Sequence, residues 1–238
     1  MKRRFNRFEL KFVIDDAVAK ALTEDLAVNM TLDPYGADGV YRVTSLYYDS
    51  PDFVCFRSKV EGIKYRRKVR VRTYGHAAAS MDSKVALEIK QRINRTVQKR
   101  RVRTSLRAAT DLIERHELPE GDDAEDREVL SEVLYLARML HLEPACVISY
   151  LREAWIGGTY EPGLRITFDR ALSVRGPDHG LLEGMRDQLF APPDRVILEV
   201  KADEAVPLWV TRMLTRHGCQ LTRVSKYCAG LARLQEAS

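Results

Sequence analysis

The stretch KVRVR (residues 68–72) alternates a cation with a valine at every position. Because successive side chains of a β-strand point to opposite faces, this alternation predicts a strand with one basic and one apolar face. The same design recurs in FELKF (8–12), LEIK (87–90) and LEVK (198–201), with Glu and Lys on the charged face. These stretches predict an antiparallel sheet with one charged face.

Extending this pattern along the chain gives an α+β protein with eight strands, taken as a single domain over 1–238. The strands are predicted at 5–14, 41–49, 65–74, 84–92, 97–103, 145–153, 164–172 and 195–201. Helices are predicted at 17–29, in a helical insertion from 105 to about 142, and in two C-terminal segments, 207–217 and 225–235. Asp49 and Asp52 flank a Ser-Pro turn, where capping is the expected role.

The composition indicates a folded, soluble protein. Of 238 residues, 45% are hydrophobic and 31% are charged, which excludes wholesale disorder. The sequence has no apolar run of the roughly 20 residues that cross a bilayer, and no apolar signal-peptide core follows the basic start. We therefore expect a cytoplasmic protein without direct membrane insertion.

The formal net charge of +5 conceals a strong asymmetry. Residues 64–107 carry 15 Lys and Arg but only two acids, a local charge of +13, so the remainder carries −8. Nucleic acid is the obvious partner for such a stretch, but zinc-finger, helix-turn-helix and RNP-like motifs are missing from the sequence. Carboxylates on the same faces would also repel a phosphate backbone. We expect a smaller polyanion and no nucleic acid.

The charged faces of six strands together favour an enclosed site. A single charged strand face is usually just solvated, but cations outnumber acids across the set, whereas a merely soluble surface mixes the signs. An antiparallel β-barrel with helices packed outside would bury the apolar faces and turn the charges inward. Arg and Lys would then hold phosphate groups, and the carboxylates a divalent metal.

The ordered segments FELKF, TSLYYDSPDF, KVRVRTYG, LEIKQR with KRRV, SYLREAW, LRITFD, LEVK and SKY resemble a known family. They look like the VTC domain, the polyphosphate polymerase domain of the vacuolar transporter chaperone family. This domain belongs to the triphosphate tunnel metalloenzyme superfamily, whose first strand carries Glu-x-Glu-x-Lys. Here Arg7 stands at the first Glu position and leaves Glu9 and Lys11, a variant that fits the VTC branch. The resemblance spans residues 7 to 231.

The resemblance implies an eight-stranded tunnel that transfers the terminal phosphate of ATP to a growing polyphosphate chain. It implies catalytic contacts from cations on several strands and on the last helix: Lys11, Arg70, Arg72, Lys90, Arg152, Arg165 and Lys226. It also implies substrate binding by Tyr150, Ser225, Lys99 and Lys201, although a one-residue slip in KRR would reverse the face of Lys99. The ligands of Mn²⁺ or Mg²⁺ would be Glu199, as the principal ligand, and Glu88.

Two alternatives stay open at this point. A tunnel hydrolase acting on tripolyphosphate or a nucleoside triphosphate would use the same residues, with water as the nucleophile. A non-catalytic module that binds polyphosphate or inositol phosphate is the other. The partners expected in the leading interpretation are ATP and inorganic polyphosphate, with a separate membrane protein as a possible recipient of the product.

Overall fold

The computed structural model describes residues 7–36, 38–75, 79–94, 96–120, 123–178, 180–182, 187–203 and 205–237. Its strands are β1 (Arg7–Asp15), β2 (Met30–Leu32), β3 (Val40–Asp49), β4 (Tyr65–Tyr74), β5 (Lys84–Ile93), β6 (Thr96–Ser105), β7 (Glu143–Gly157), β8 (Arg165–Arg175), β9 (Gln188–Leu189) and β10 (Arg195–Asp203). Its helices are α1 (Asp16–Leu26), α2 (Val54–Val60), α3 (Leu106–Thr110), α4 (Ala124–Leu140), α5 (Leu208–Arg216) and α6 (Lys226–Ala237), with a π-helical turn at Asp111–Arg115 after α3. Among the described residues, no helix is long and apolar enough to cross a membrane.

All eight predicted strands form and belong to a single sheet, in which their order differs from their order along the chain. Their order is β1-β10-β8-β7-β3-β4-β5-β6, while the short β2 and β9 pair with β7 and β8. The pairs β1–β10, β10–β8, β3–β4, β4–β5 and β5–β6 are antiparallel. The predicted fold class, an antiparallel eight-stranded sheet with helices packed against it, is confirmed.

The chain groups into two compact units. The first comprises Met1–Arg42, Tyr150–Leu172 and Ala191–Ser225, and the second comprises Val43–Ser149, Ser173–Phe190 and Lys226–Ser238. Strands β3, β7 and β8 contribute residues to both units. The interpretation of 1–238 as a single domain stays a prediction.

In the first unit, helices α1 and α5 cover the apolar face of β1, β8 and β10. Leu22 of α1 and Val210 of α5 are fully buried with Phe168, Leu198 and Val200 of the strands. The apolar residues on these strands alternate with Glu9, Lys11, Arg165, Asp169, Glu199 and Lys201. Burying one face under helices therefore fixes the charged side chains on the other.

The second unit repeats this construction with different helices. Val69 and Val71 of β4 pack with Leu87 of β5, and the helical insertion adds Leu112 and Val133 to the same core. The intervening residues of β4 and β5 carry the charges. The predicted helical insertion is therefore the cover of this apolar face.

A buried carboxylate fixes the start of α2. Asp49 is fully buried, and its Oδ1 accepts hydrogen bonds from the backbone N–H groups of Ser50 and Cys55 at 2.8 Å. Its Oδ2 accepts from the N–H of Phe56 at 2.9 Å and from the hydroxyl of Tyr227 on α6. Asp49 thus satisfies N–H groups of the first turn of α2, as expected of a cap, although Phe53 occupies the N-cap position. It also ties α2 to α6. The capping role expected of Asp52 stays a prediction.

Candidate active site

The first unit contains a cluster of alternating charges on β1, β7, β8 and β10. We call it the Glu199 cluster, and its members are Glu9, Lys11, Arg152, Asp169, Glu199 and Lys201. The strand register places Lys11 opposite Glu199 and Glu9 opposite Lys201. Opposite charges that face each other across paired strands stabilise the pairing, so the register itself assembles the cluster.

Glu199 is in contact with three cations. Its Oε1 lies 3.3 Å from the Lys11 ammonium, and its Oε2 lies 2.9 Å from Lys201 and 3.8 Å from Nη2 of Arg152. The Lys11 ammonium also lies 3.2 Å from Oε1 of Glu9. The Lys11 ammonium is thus held between the carboxylates of Glu9 and Glu199, so this position supplies carboxylate oxygens to a cation.

Arg152 is held in one orientation by a buried carboxylate. Its Nε and Nη2 donate to the two oxygens of Asp169, each at 2.7 Å, and Asp169 is fully buried. Burial would lower the pKa of Arg152, but Asp169, Tyr150 and Glu199 raise it well above its usual range. The guanidinium also lies 5.2 Å from the ring centre of Tyr150. A bidentate pair of this kind presents a fixed planar donor group to a ligand.

The pKa of Lys201 is strongly affected by its buried position in this cluster. Burial lowers its pKa from 10.5 to about 8, although Glu199 acts in the opposite direction. An additional anion near Lys201 would favour the charged form.

Arg165 lies on β8 opposite Lys201 and is positioned by a loop that follows β2. Its Nη2 donates to Oδ2 of Asp33 at 2.6 Å and to the hydroxyl of Tyr41 at 3.0 Å. Asp33 in turn accepts a hydrogen bond from the backbone N–H of Tyr35. The guanidinium is therefore oriented by residues far away in the sequence.

The second unit contains a cluster with far fewer acids. We call it the Glu88 cluster, and its members are Tyr47, Arg70, Arg72, Glu88 and Lys99. Arg70 lies opposite Glu88 on β5 and opposite Tyr47 on β3. Nε and Nη2 of Arg70 both lie 2.7 Å from Oε2 of Glu88, whereas Lys99 contacts Oε1. The contact with Lys99 settles its register, because the slip that would reverse its face does not occur.

The cations around Glu88 determine its ionisation. Burial alone would raise the pKa of this carboxyl, which is only 1% exposed, but Arg70, Arg72 and Lys99 lower it to about 2. Burial lowers the pKa of Lys99 to about 8 despite the attraction of Glu88. Glu88 is therefore a permanent anion that holds cations in place at neutral pH.

Two hydroxyl groups orient the arginines of this cluster from the β3 side. Nη1 of Arg70 donates to the Tyr47 hydroxyl at 2.8 Å, and Nε of Arg72 donates to Oγ of Ser45 at 2.9 Å. Burial would raise the pKa of Tyr47, but the nearby cations lower it below its usual value. The Tyr47 ring stacks on Tyr227 at 4.8 Å.

The remaining predicted residues occupy the ends of elements or neighbouring strand positions. Lys90 lies opposite Lys68 on β4 and Lys99 on β6. Lys226 is the first residue of α6 and is buried, and the half-buried Ser225 directly precedes that helix. Tyr150 is buried beneath Arg152.

A divalent cation fits the carboxylates of the Glu199 cluster better than Glu88. Among the described residues, no group of three or more His, Cys, Asp or Glu side chains is arranged to hold a metal. Mg²⁺ and similar ions, however, commonly use one or two carboxylates together with substrate phosphates. Glu9 and Glu199 contact the same ammonium and could supply such a pair, whereas Glu88 is the one carboxylate of its cluster as defined above.

Several residues of these clusters were not singled out from the sequence as functional. Tyr47 sits in the alternating segment YRVTSLYYD, and its position opposite Arg70 follows only from the pairing of β3 with β4. Asp33 and Tyr41 contact Arg165 from positions 132 and 124 residues away. Strand alternation gives the face of Glu9 and Asp169, but their roles as anchors of Lys11 and Arg152 depend on contacts between strands. Arg7 belongs to β1, and its side chain lies outside the described set.

A sheet with helices on its apolar face and ion-paired Arg and Lys among its strands defines the structural class of this chain. The family comparison assigns the chain within that class: the VTC domain model matches residues 6–235, so the chain belongs to the VTC domain family. The recognition made from the sequence is thereby confirmed. A search of curated proteins found no match.

Solved structures support the same fold. A candidate adenylyl cyclase from Hippeastrum, described as having a dominant triphosphatase activity, is 12% identical, with a TM-score of 0.53 over 95% of each chain. A candidate adenylate cyclase from Bacillus halodurans is 14% identical, with a TM-score of 0.51 over 91% of this chain and 92% of that one. At these identities the likeness establishes the fold alone.

Proposed function

We propose that this chain is a metal-dependent polyphosphate polymerase that transfers the terminal phosphate of ATP to a growing inorganic polyphosphate. The observation that carries the proposal is that buried carboxylates hold Arg and Lys side chains on the charged strand faces of each unit, as in the pairs Arg152–Asp169 and Arg70–Glu88. Membership of the VTC domain family supports the same reaction class.

The proposed role of the cations is to position phosphate groups and to neutralise their charge. Phosphoryl transfer depends mainly on alignment and electrostatic stabilisation, with little covalent chemistry from the protein. Arg70, Arg72, Arg152 and Arg165 are each oriented by a fixed partner, so little reorganisation is needed when substrate binds. Lys11, Lys90, Lys99, Lys201 and Lys226 would add point charges, and Tyr150 and Ser225 would add neutral contacts.

The proposed reaction requires no side-chain nucleophile. The attacking atom is a terminal oxygen of the acceptor polyphosphate, which is already ionised, so a general base is unnecessary. As this oxygen bonds to the γ-phosphorus of ATP, the bond from that phosphorus to the bridging oxygen breaks and ADP leaves. Glu199 and Glu9 would hold Mn²⁺ or Mg²⁺, which supplies charge neutralisation at the phosphate oxygens when bound. Glu88 as a second ligand stays a prediction, and its present contacts favour anchoring of Arg70 and Lys99.

A hydrolase is the competing reaction, because the dominant triphosphatase activity described for the Hippeastrum protein occurs on the same fold. Incubation with ATP and Mn²⁺, followed by electrophoresis of polyphosphate and assay of free phosphate, separates the two. Long polyphosphate supports the polymerase. Accumulation of phosphate without polymer identifies a hydrolase, and binding without turnover identifies a non-catalytic module.

The assignment of residues is tested by Arg70→Ala, with Arg138→Ala as the control. Arg138 is exposed on α4, so its removal changes net charge equally without touching either cluster. We expect Arg70→Ala to abolish synthesis while thermal unfolding still reports a folded protein. Full activity in Arg70→Ala would refute the role assigned to the Glu88 cluster.

A further inference from the structure

The pairing of β4 with β5 contains two successive positions at which like charges face each other. Arg70 lies opposite Glu88, a complementary pair, but Lys68 lies opposite Lys90. One further step along the same face, Arg66 lies opposite Arg92. Like charges directly opposite one another destabilise paired strands, so these two positions lower the stability of the pairing between β4 and β5.

The outermost of these positions is part of a larger group of cations. Burial and the charge of Arg92 lower the pKa of Arg66, and burial and the charge of Arg66 lower the pKa of Lys59 on α2. Lys68, on the same face of β4, places its ammonium 3.6 Å from Sγ of Cys228 and 4.8 Å from the ring centre of Tyr227. The group therefore converges on one region between β4, β5, α2 and α6 of the second unit.

This group extends beyond the residues assigned to the reacting phosphates. Strand geometry places Arg66 about 14 Å along β4 from Arg70. Arg92 is exposed, and its Nε donates to the backbone carbonyl oxygen of Asn94. The group is thus accessible to an extended anion that is already bound at Arg70.

We infer that Lys59, Arg66, Lys68 and Arg92 form an outer subsite that binds the distal phosphates of linear polyphosphate. The inference rests on the proposed function, because the inner end of the chain is taken to bind at the Glu88 cluster. A linear polyphosphate carries a negative charge at every phosphate, so it can offset the repulsion between the cations that follow one another along β4 and β5. A compact anion bound at Arg70 does not reach them. The subsite would therefore favour long chains over triphosphate.

The test compares tripolyphosphate with a longer linear polyphosphate of defined length, using calorimetry on the whole protein at two salt concentrations. We expect the wild type to bind the longer chain more tightly, by about tenfold or more, with a steeper salt dependence. The double variant Arg66→Gln/Arg92→Gln should lose this gain and keep its affinity for tripolyphosphate. The control Arg127→Gln/Arg138→Gln removes the same charge from exposed positions on α4 and should keep the gain.

Each other result overturns the inference. A gain that persists in Arg66→Gln/Arg92→Gln, or an equal loss of affinity for both ligands, would exclude an outer subsite selective for length. Binding of a single-stranded oligonucleotide that depends on these arginines, with polyphosphate unaffected, would assign them to nucleic acid instead. Failure of both ligands to bind the wild type would refute the proposed function together with the inference that rests on it, whereas binding of both ligands with equal affinity would refute the outer subsite alone.

Discussion

The Glu199 cluster and the Glu88 cluster use the same residue types in different proportions. In the first, three carboxylates (Glu9, Asp169 and Glu199) contact three cations, so the charges balance. In the second, the single carboxylate of Glu88 contacts Arg70, Arg72 and Lys99. In the balanced cluster, a carboxylate could give up its contact with a lysine ammonium and bind a metal ion that carries a substrate phosphate. The cation-rich cluster is suited to binding an anion without a metal.

The largest expected effect is that of Glu199→Gln, which removes the central carboxylate of the balanced cluster. We expect turnover with ATP to fall by about a hundredfold or more, and the Mn²⁺ concentration for half-maximal activity to rise. Tripolyphosphate binding without metal should be kept, because the cations remain. The exposed Glu128→Gln on α4 is the control. An unchanged metal requirement in Glu199→Gln would place the metal elsewhere.

Glu88→Gln should change the stability of the other cluster in addition to turnover. Leaving Arg70 and Lys99 without their buried counter-charge should lower the free energy of unfolding by about 3 kcal/mol at neutral pH. Affinity for tripolyphosphate should be kept or increased, since the cluster gains net positive charge, while turnover falls. Denaturant titration and calorimetry measure the two effects, and a loss of metal affinity would instead make Glu88 a ligand.

The acid dependence of stability sharpens this prediction. The pKa of Glu88 is lowered from its ordinary value of 4.5 to about 2, so its contribution to stability is present above pH 4.5 and is lost as the pH falls towards 2. The difference in unfolding free energy between wild type and Glu88→Gln should therefore shrink across this window. A difference that stays constant down to pH 2 would contradict the ion-pair origin of the effect.

Both clusters contain a lysine that should take up a proton when an anion binds. The pKa values of Lys99 and Lys201 are lowered to about 8 from 10.5, and a bound polyanion raises them again. Binding should therefore take up protons between these pH values, and affinity should fall as the pH rises above 8. Calorimetry in buffers of different ionisation enthalpy measures the uptake. Lys99→Met and Lys201→Met should each reduce it, and equal uptake in both variants and wild type would refute the assignment.

The smallest effects are expected for the tyrosines that orient arginines. Tyr47→Phe removes a hydroxyl that accepts from Arg70, and Tyr41→Phe removes one that accepts from Arg165. Each arginine retains a carboxylate partner, so we expect activity to fall only about fivefold, equivalent to about 1 kcal/mol. A loss as large as that of Arg70→Ala would mean that Tyr47 contacts the reacting groups itself.

The alternation of charged and apolar residues predicts much of the fold from the amino-acid sequence alone. It is strong in KVRVR and LEVK, where burial of one face leaves a single possible register for the side chains. It is absent from β2, whose three residues are too few to show a period, and from the loop that places Asp33 against Arg165. Contacts between residues more than a hundred positions apart leave no local signal, so the anchors of Arg165, Asp33 and Tyr41, could not be predicted.

The hydrogen bond between Asp49 and Tyr227 has a consequence for the order of folding. The two residues are 178 positions apart, and Asp49 is fully buried in the finished structure. During synthesis, the Asp49 carboxylate can accept hydrogen bonds from the backbone N–H groups at the start of α2 early. It cannot accept one from the Tyr227 hydroxyl until α6 has been synthesised. The second unit therefore reaches its final packing only after nearly the whole chain has been translated, because a nascent chain ending before α6 lacks the Tyr227 hydroxyl that donates to Asp49.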